Sequence, residues 1–467
     1  MVSGEQSSID KLLIIISDLT KKVNLLTDRV EEIERENKEL KLRIAKYETP
    51  KNSRNSSIPP SKDEHRPKRT NSLRESTGRN PGGQKGREGK TLLMSSTPDE
   101  TIEIKPDFCQ SCGNNLSDVL GQKRDFRQVV DIPLIRSTTI EYQVFGKTCK
   151  CGHTTVSDFP CGVNAPVSYG QNIEGLIGYF HARQYVPFAR MQEMFNDVFK
   201  INISEGGIHY LLNRFASKVG DLYEMIKQRV EQSKVVGSDE TGAKVNGKMN
   251  WFWTWQTQKL TFIAHSYNRG RNTIDKWFPA GFPNSTLVHD AWKPQLNTKA
   301  KHHQSCLAHL QRNIKYLNEL YKGNKWGNRF LKILYDALEL ERSMVNQDYF
   351  PDNRQRDDII KRFDKLLRQP PGKKHKELQT FYKRMLRDRK HIFTCLFIPE
   401  VPPDNNASER AIRNIKVKQK ISGQFKCAKA AQNFAKIRSV IDTTIKNKLN
   451  VIEALSLVSI FGLETTD

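Results

Sequence analysis

Between residues 9 and 47 apolar side chains return every three to four positions without a break. In heptad terms the a positions are Ile9, Ile16, Val23, Val30, Asn37 and Ile44, and the d positions are Leu12, Leu19, Leu26, Ile33, Leu40 and Tyr47. Mostly β-branched residues at a with mostly Leu at d favour a parallel two-stranded coiled coil, and a single Asn at a fixes its register. Residues 1–48 are therefore expected to be a helix that pairs two copies of the chain. The pattern then stops. Residues 49–100 are rich in Ser, Asn, Pro, Gly, Lys and Arg and nearly empty of core residues, so they cannot fold alone and are expected to be a basic linker or arm.

Apolar patterning resumes as a strand-rich stretch over 126–148 and as helical periodicity over 166–232, where one helix ends near Lys200 and Ser204 caps the next. That pair resembles a helix-turn-helix. From 234 the period changes to strands. Val235 and Val236 lead a strand into Asp239, Asn246-Gly247 is a type I′ hairpin turn, and Trp251, Trp253 and Trp255 alternate along the second strand. LTFIAHSY (260–267) is a third strand and TLVHD, ending at Asp290, a fourth. Residues 309–400 are helical and highly charged, with breaks at Pro351 and Pro370-Pro371, and are expected to be an insertion. A helix capped by Asn406 or Ser408 then carries Glu409.

Charge sharpens this outline. The 467 residues hold 76 Lys+Arg against 52 Asp+Glu, a net charge of +24, which suits a polyanionic partner, nucleic acid before membrane. No apolar run is long enough for a membrane span, and Leu12 to Ile16 is too short for a signal peptide. Residues 409–448 hold eleven Lys+Arg against two acids. Arg410, Arg413, Lys416, Lys418 and Lys420 are the candidate DNA-backbone contacts.

Two sets of residues carry candidate chemistry. Asp239 and Asp290 at strand ends and Glu409 at a helix start are the carboxylates a two-metal phosphoryl-transfer site needs, with Mg²⁺ or Mn²⁺ between them. Glu240 should point away from Asp239, and Asp404 is the acid most easily confused with Glu409. His289 and His309 could assist proton transfer but suit packing better. Of eight cysteines, Cys109, Cys112, Cys149 and Cys151 form two close pairs, each followed by Gly, as in knuckles that hold a structural Zn²⁺. The second pair is C-x-C, so His153 or Cys161 could replace one thiolate.

Several segments together resemble bacterial transposases of the insertion-sequence 66 family: NSSIPPSKD (55–63), GRNPGGQKGREGKTL (78–92), the cysteine pairs, APVSYG (165–170), SDETG (238–242), HDAW (289–292), CLAH (306–309) and NNASERAIRNIKVKQKISGQF (405–425). The resemblance implies a DDE transposase, with Asp239, Asp290 and Glu409 as its acidic triad and the cysteine pairs as its zinc-binding region. It implies an α/β multidomain chain in a bacterial cytoplasm, associated with DNA (the element's terminal inverted repeats and the target). The expected order is a coiled coil (1–48), a basic linker (49–100), a zinc-binding module (101–165) and a helical region (166–232). A ribonuclease-H-like core follows in two parts (233–308 and 401–425), split by the helical insertion (309–400), and a helical region (426–467) ends the chain. Two other readings remain: a zinc-containing DNA-binding protein without catalysis, and a ribonuclease-H-like nuclease without strand transfer.

Overall fold

The computed structural model describes residues 3–52, 55–56, 63–64, 94–132, 135, 137–160, 163, 165–344 and 354–461, with side chains from residue 16 to 460. Most of the basic linker, Cys161 and Pro351 lie outside the described residues. The periodic N-terminal segment is one helix, α1 (Ser3–Glu48). Its apolar stripe faces solvent: Leu19 is 55% exposed and Leu26 64%. Among the described residues, the end of α1 meets the rest of the chain through Leu42, Ala45 and an ion pair from Lys46 to Glu377.

The cysteine pairs sit in a sparsely packed region. Its only described ladder joins β1 (Gly146–Thr148) to β2 (Thr154–Val156), so the strands expected across 126–148 shrink to three residues. No apolar partner is at hand to hold a longer ladder, and Phe126, Val129, Ile132 and Ile140 are all exposed.

Four helices follow: α2 (Gln171–Ala182), α3 (Phe188–Asp197), α4 (Glu205–Lys218) and α5 (Gly220–Glu231). Ser204 caps α4 as expected, its hydroxyl accepting from the Gly207 N–H at 3.1 Å. The sheet comprises β3 (Val235–Val245), β4 (Lys248–Gln256) and β5 (Thr261–Ser266), then, after α6 (Arg271–Trp277), β6 (Phe282–His289), and, after α7 (Lys293–Leu296), β7 (Ala300–Ser305). Its order is β5-β4-β3-β6-β7. The first three strands are antiparallel, and β6 and β7 run parallel to β3. Asn246 and Gly247 both have positive φ, 47° and 72°, the signature of the expected hairpin turn.

The helical segment after the sheet holds α8 (Leu307–Leu320), α9 (Lys325–Met344), α10 (Arg354–Leu367) and α11 (Lys376–Arg387). It has its own hydrophobic core, which includes Phe330, Phe363 and Leu378. The main core lies between the sheet, the helices α2–α5 and the C-terminal helices, α12 (Asn406–Ser422), α13 (Ala428–Lys446) and α14 (Val451–Phe461). Leu287 belongs to the main core and its neighbour Val288 to the insertion's core, so alternate residues of β6 serve the two. The chain is thus a mixed α/β protein with a five-stranded mixed sheet.

Candidate active site and metal-ligand clusters

Asp239 is not at the end of its strand, because β3 continues to Val245. What ends is its parallel pairing. The β3–β6 ladder covers only Val235–Gly237 against Thr286–Val288, so Asp239 and Asp290 each lie two residues past the Gly237–Val288 pair, at the same level of adjacent strands. Beyond that point the β3–β6 ladder stops.

Glu409 comes near the two aspartates because α12 lies across β3 and β4. Its start is fixed by Asn405, which is buried and donates through Nδ2 to the Ser238 carbonyl at 2.8 Å, while its Oδ1 accepts from Ser408 Oγ at 2.7 Å. The cap position is therefore Asn405, not the expected Asn406 or Ser408, and its side chain ties helix to strand rather than capping the helix. Gly237 makes the close approach possible. A Cβ there would lie 2.6 Å from Gln256 Nε2, 2.6 Å from Ser408 Oγ and 3.0 Å from Asn405 Oδ1. Asp404 is occupied otherwise, accepting from the backbone and side chain of Asn406 at 2.9 and 2.6 Å.

The three acids share one electrostatic environment. Burial pushes the Asp239 carboxyl well above the usual range, and Asp290, Glu240 and Glu409 add to the rise. Only the Glu240 N–H, donating to Asp239 Oδ1 at 2.8 Å, opposes it. Glu240 itself turns to Arg269 at 2.7 Å and accepts from Gln295 Nε2 at 3.1 Å. The Arg269 guanidinium stacks on Trp292, 4.1 Å from the ring centre.

Helix α8 supplies two cations that were not foreseen as a pair. His309 Nδ1 lies 3.0 Å from Asp290 Oδ1 and 3.8 Å from Glu409 Oε1. Arg312, one turn further, donates to Glu409 Oε1 at 3.4 Å. Burial alone would lower the His309 pKa, but contacts with Asp290 and Cys306 outweigh it and raise it to about 10. Asp290, Cys306 and His309 hold their ligand atoms within 4.8 Å of one another, and they are the one such group of three among the described residues. Asp239, Asp290 and Glu409 do not form such a group among the described residues. The signal in the sequence was C-x-x-H-x-x-R straight after a strand, which sets Cys306, His309 and Arg312 on one helix face. His289, by contrast, is buried and bonded to His303 at 3.0 Å, a packing role.

The basic face of α12 needs correction. Arg410, Arg413 and Lys420 are exposed. Lys418 is only 6% exposed, and burial pushes its ammonium down to about 8, so it does not face a DNA backbone. Lys416 turns inward to donate to the Gly242 carbonyl. The α12 helix must bury one side to dock on the sheet, and these two lysines fall there.

Both cysteine knuckles form locally. Gly113 and Gly152 adopt φ of +75° and +86°, and their N–H groups close back on the carbonyls of Cys109 and Cys149, each at 2.9 Å. Backbone N–H groups pull both thiols down, that of Cys112 acting on Cys109 and that of Cys151 on Cys149. Among the described residues, Cys109, Cys112, Cys149 and Cys151 are not gathered into one cluster of thiols.

A family model described as Transposase IS66 family matches residues 167–433, which include all three acids of the triad. A second, described as a family of unknown function (DUF6444), matches residues 7–92, which include most of α1 and the basic segment. No curated protein matches the chain.

Proposed function

The chain belongs to the IS66 transposase family, and from that premise we propose that it cuts DNA at the 3′ ends of its element and joins those ends to target DNA, with Asp239, Asp290 and Glu409 as its catalytic carboxylates. The observation that carries this reading is the level placement of Asp239 and Asp290 on adjacent parallel strands with α12 bringing Glu409 near them. The strand order, three antiparallel strands followed by two parallel ones, supports a ribonuclease-H-like core.

The residues fit divalent cations. Burial first, and then the neighbouring carboxyls, raise the pKa of Asp239, and Asp290 Oδ1 is met by His309 Nδ1 at 3.0 Å. Asp239, Asp290 and Glu409 would hold Mg²⁺ or Mn²⁺. When bound, such ions activate the attacking water or 3′-OH and stabilise the leaving 3′ oxygen. Arg312 holds Glu409 in reach of that position, and His309 does the same for Asp290. Arg410, Arg413 and Lys420, exposed on the helix that carries Glu409, lead the phosphate backbone to the acids.

The knuckles of Cys109–Cys112 and Cys149–Cys151 would hold a structural Zn²⁺ between them, and the N–H groups aimed at Cys109 and Cys149 favour the thiolates it requires. The uncovered stripe of α1 pairs two protomers, which brings both element ends into one complex.

Asp239→Ala tests the catalytic assignment. Metal-dependent cleavage is expected to fall on the order of 10³-fold or more, about 4 kcal/mol of transition-state stabilisation, with DNA affinity nearly intact. A variant that still nicks DNA at the wild-type rate removes Asp239 from the mechanism.

A further inference from the structure

Asp290 follows β6, and Cys306 follows the neighbouring strand β7, one residue past the His289–Ser305 pair. These two residues are therefore level across the ladder. His309 stands one helical turn beyond Cys306, so its ring returns over both. The carboxylate oxygen, the thiol sulfur and an imidazole nitrogen all lie within 4.8 Å of one another. We propose that Asp290, Cys306 and His309 form a binding site for a thiophilic divalent cation of the zinc class, beside the carboxylate triad and sharing Asp290 with it.

The donor set argues for this class of ion. Sulfur and imidazole nitrogen select zinc, cobalt or cadmium, whereas magnesium prefers oxygen alone. The spacing also fits. Tetrahedral bonds of roughly 2.0–2.3 Å put neighbouring ligand atoms about 3.3–3.6 Å apart. Asp290 Oδ1 and His309 Nδ1 are already 3.0 Å apart, paired directly with each other, and a cation can take the place of that contact. Cys306 is buried and its sulfur accepts from the Asn405 N–H at 3.3 Å, which fixes the position of the sulfur. Glu409 Oε1, 3.8 Å from His309 Nδ1, can supply the fourth ligand. Binding releases the thiol proton of Cys306, and any proton on His309, to solvent.

The site rests on this geometry and not on the strand-transfer chemistry, although it draws on the same Asp290. An ion held here takes Asp290 away from the triad, so zinc is expected to inhibit magnesium-dependent cleavage.

The test is cobalt(II) titration of the full chain, stripped of metal, without DNA and in excess Mg²⁺. Wild type is expected to bind one more cobalt per chain than Cys306→Ser, with a matching loss of thiolate-to-cobalt absorption in the variant. His309→Gln is expected to lose the same ion. If Cys306→Ser fails to fold, judged by circular dichroism, His309→Gln decides alone. Equal cobalt stoichiometry in wild type and the folded variants overturns the proposal and leaves Asp290 and His309 as an ion pair. Because no DNA is present, that outcome leaves the cleavage reading standing, and failure of Asp239→Ala to lose cleavage leaves this site standing.

Discussion

From residue 94 to 160 no described side chain is buried, while from 165 to 461 two hydrophobic cores organise nearly every element. Both regions carry residues of metal-ligand type. In the first, each cysteine pair is shaped by its own turn, because Gly113 and Gly152 close loops only a few residues long. Bringing the two knuckles together is a long-range task, and no buried apolar side chain among the described residues there accomplishes it. In the second, Asp239, Asp290 and Glu409 are far apart in sequence yet near enough for the other two to raise the Asp239 pKa, because β3, β6 and α12 are packed on a shared core. Local turns can shape a ligand pair, but only packing or a bound ion can join distant ones.

That contrast can be broken in several places. The largest effect is expected from Leu19→Pro with Leu26→Pro. Each proline costs an interior helix about 3 kcal/mol or more, and the exposed stripe would lose its partner. The chain should fall from dimer to monomer in light scattering while the melting of residues 165–461 stays put. An unchanged size would remove α1 as the dimer contact.

Acid is expected to act on the packed region alone. Burial holds the His181 ring well below its ordinary pKa of 6.5 and, with His391 adding, takes His303 down to about 4. Below pH 6.5 these two histidines take up protons in the unfolded chain that the folded chain refuses, so their contribution falls with pH from 6.5 towards 4 and is fully present above that window. At about 1.4 kcal/mol per unit, the loss should reach a few kcal/mol in denaturant titrations. His303→Gln should flatten the slope, and an equally steep slope in that variant would clear His303 of the effect.

Gly237→Ala forces a methyl against Gln256, Asn405 and Ser408. Overpacking of this kind costs about 1–3 kcal/mol. Urea melts should show it, together with a loss of cleavage greater than the stability change explains, since Glu409 moves with α12. The smallest effect on the packed region belongs to Cys109→Ser with Cys112→Ser. Zinc content should drop while the main melting transition stays within about 0.5 kcal/mol, as for surface changes. A large shift there would mean that the knuckles brace the cores.

Much of the packed region was legible in the chain. The Asn246-Gly247 turn, the Ser204 cap, the strands leading to the two aspartates and the charged insertion each have a local cause. β7 escaped because AKHHQS has no apolar run; its burial comes from β6 and the 3₁₀ turns at Arg389–His391 and Thr394–Leu396 packed over it. Lys416 and Lys418 read as part of a cationic face because charge alone does not reveal which side of a helix docks on a sheet. The same holds for Gly237 and Asn405, whose roles exist only once α12 lies on β3. The pairing of His309 and Arg312 with the acids was written in C-x-x-H-x-x-R, but it acquires meaning only when β7 sets Cys306 level with Asp290.

The central claim is that Asp239, Asp290 and Glu409 act together on DNA. It is tested most directly by a Mg²⁺-dependent cleavage and strand-transfer assay on DNA bearing the inverted repeats that flank the gene, with wild type beside Glu409→Gln. The account predicts cut and joined products from wild type only, with both proteins binding the DNA equally. Joined products from Glu409→Gln at the wild-type rate, or DNA binding by both proteins with cleavage by neither, would contradict it.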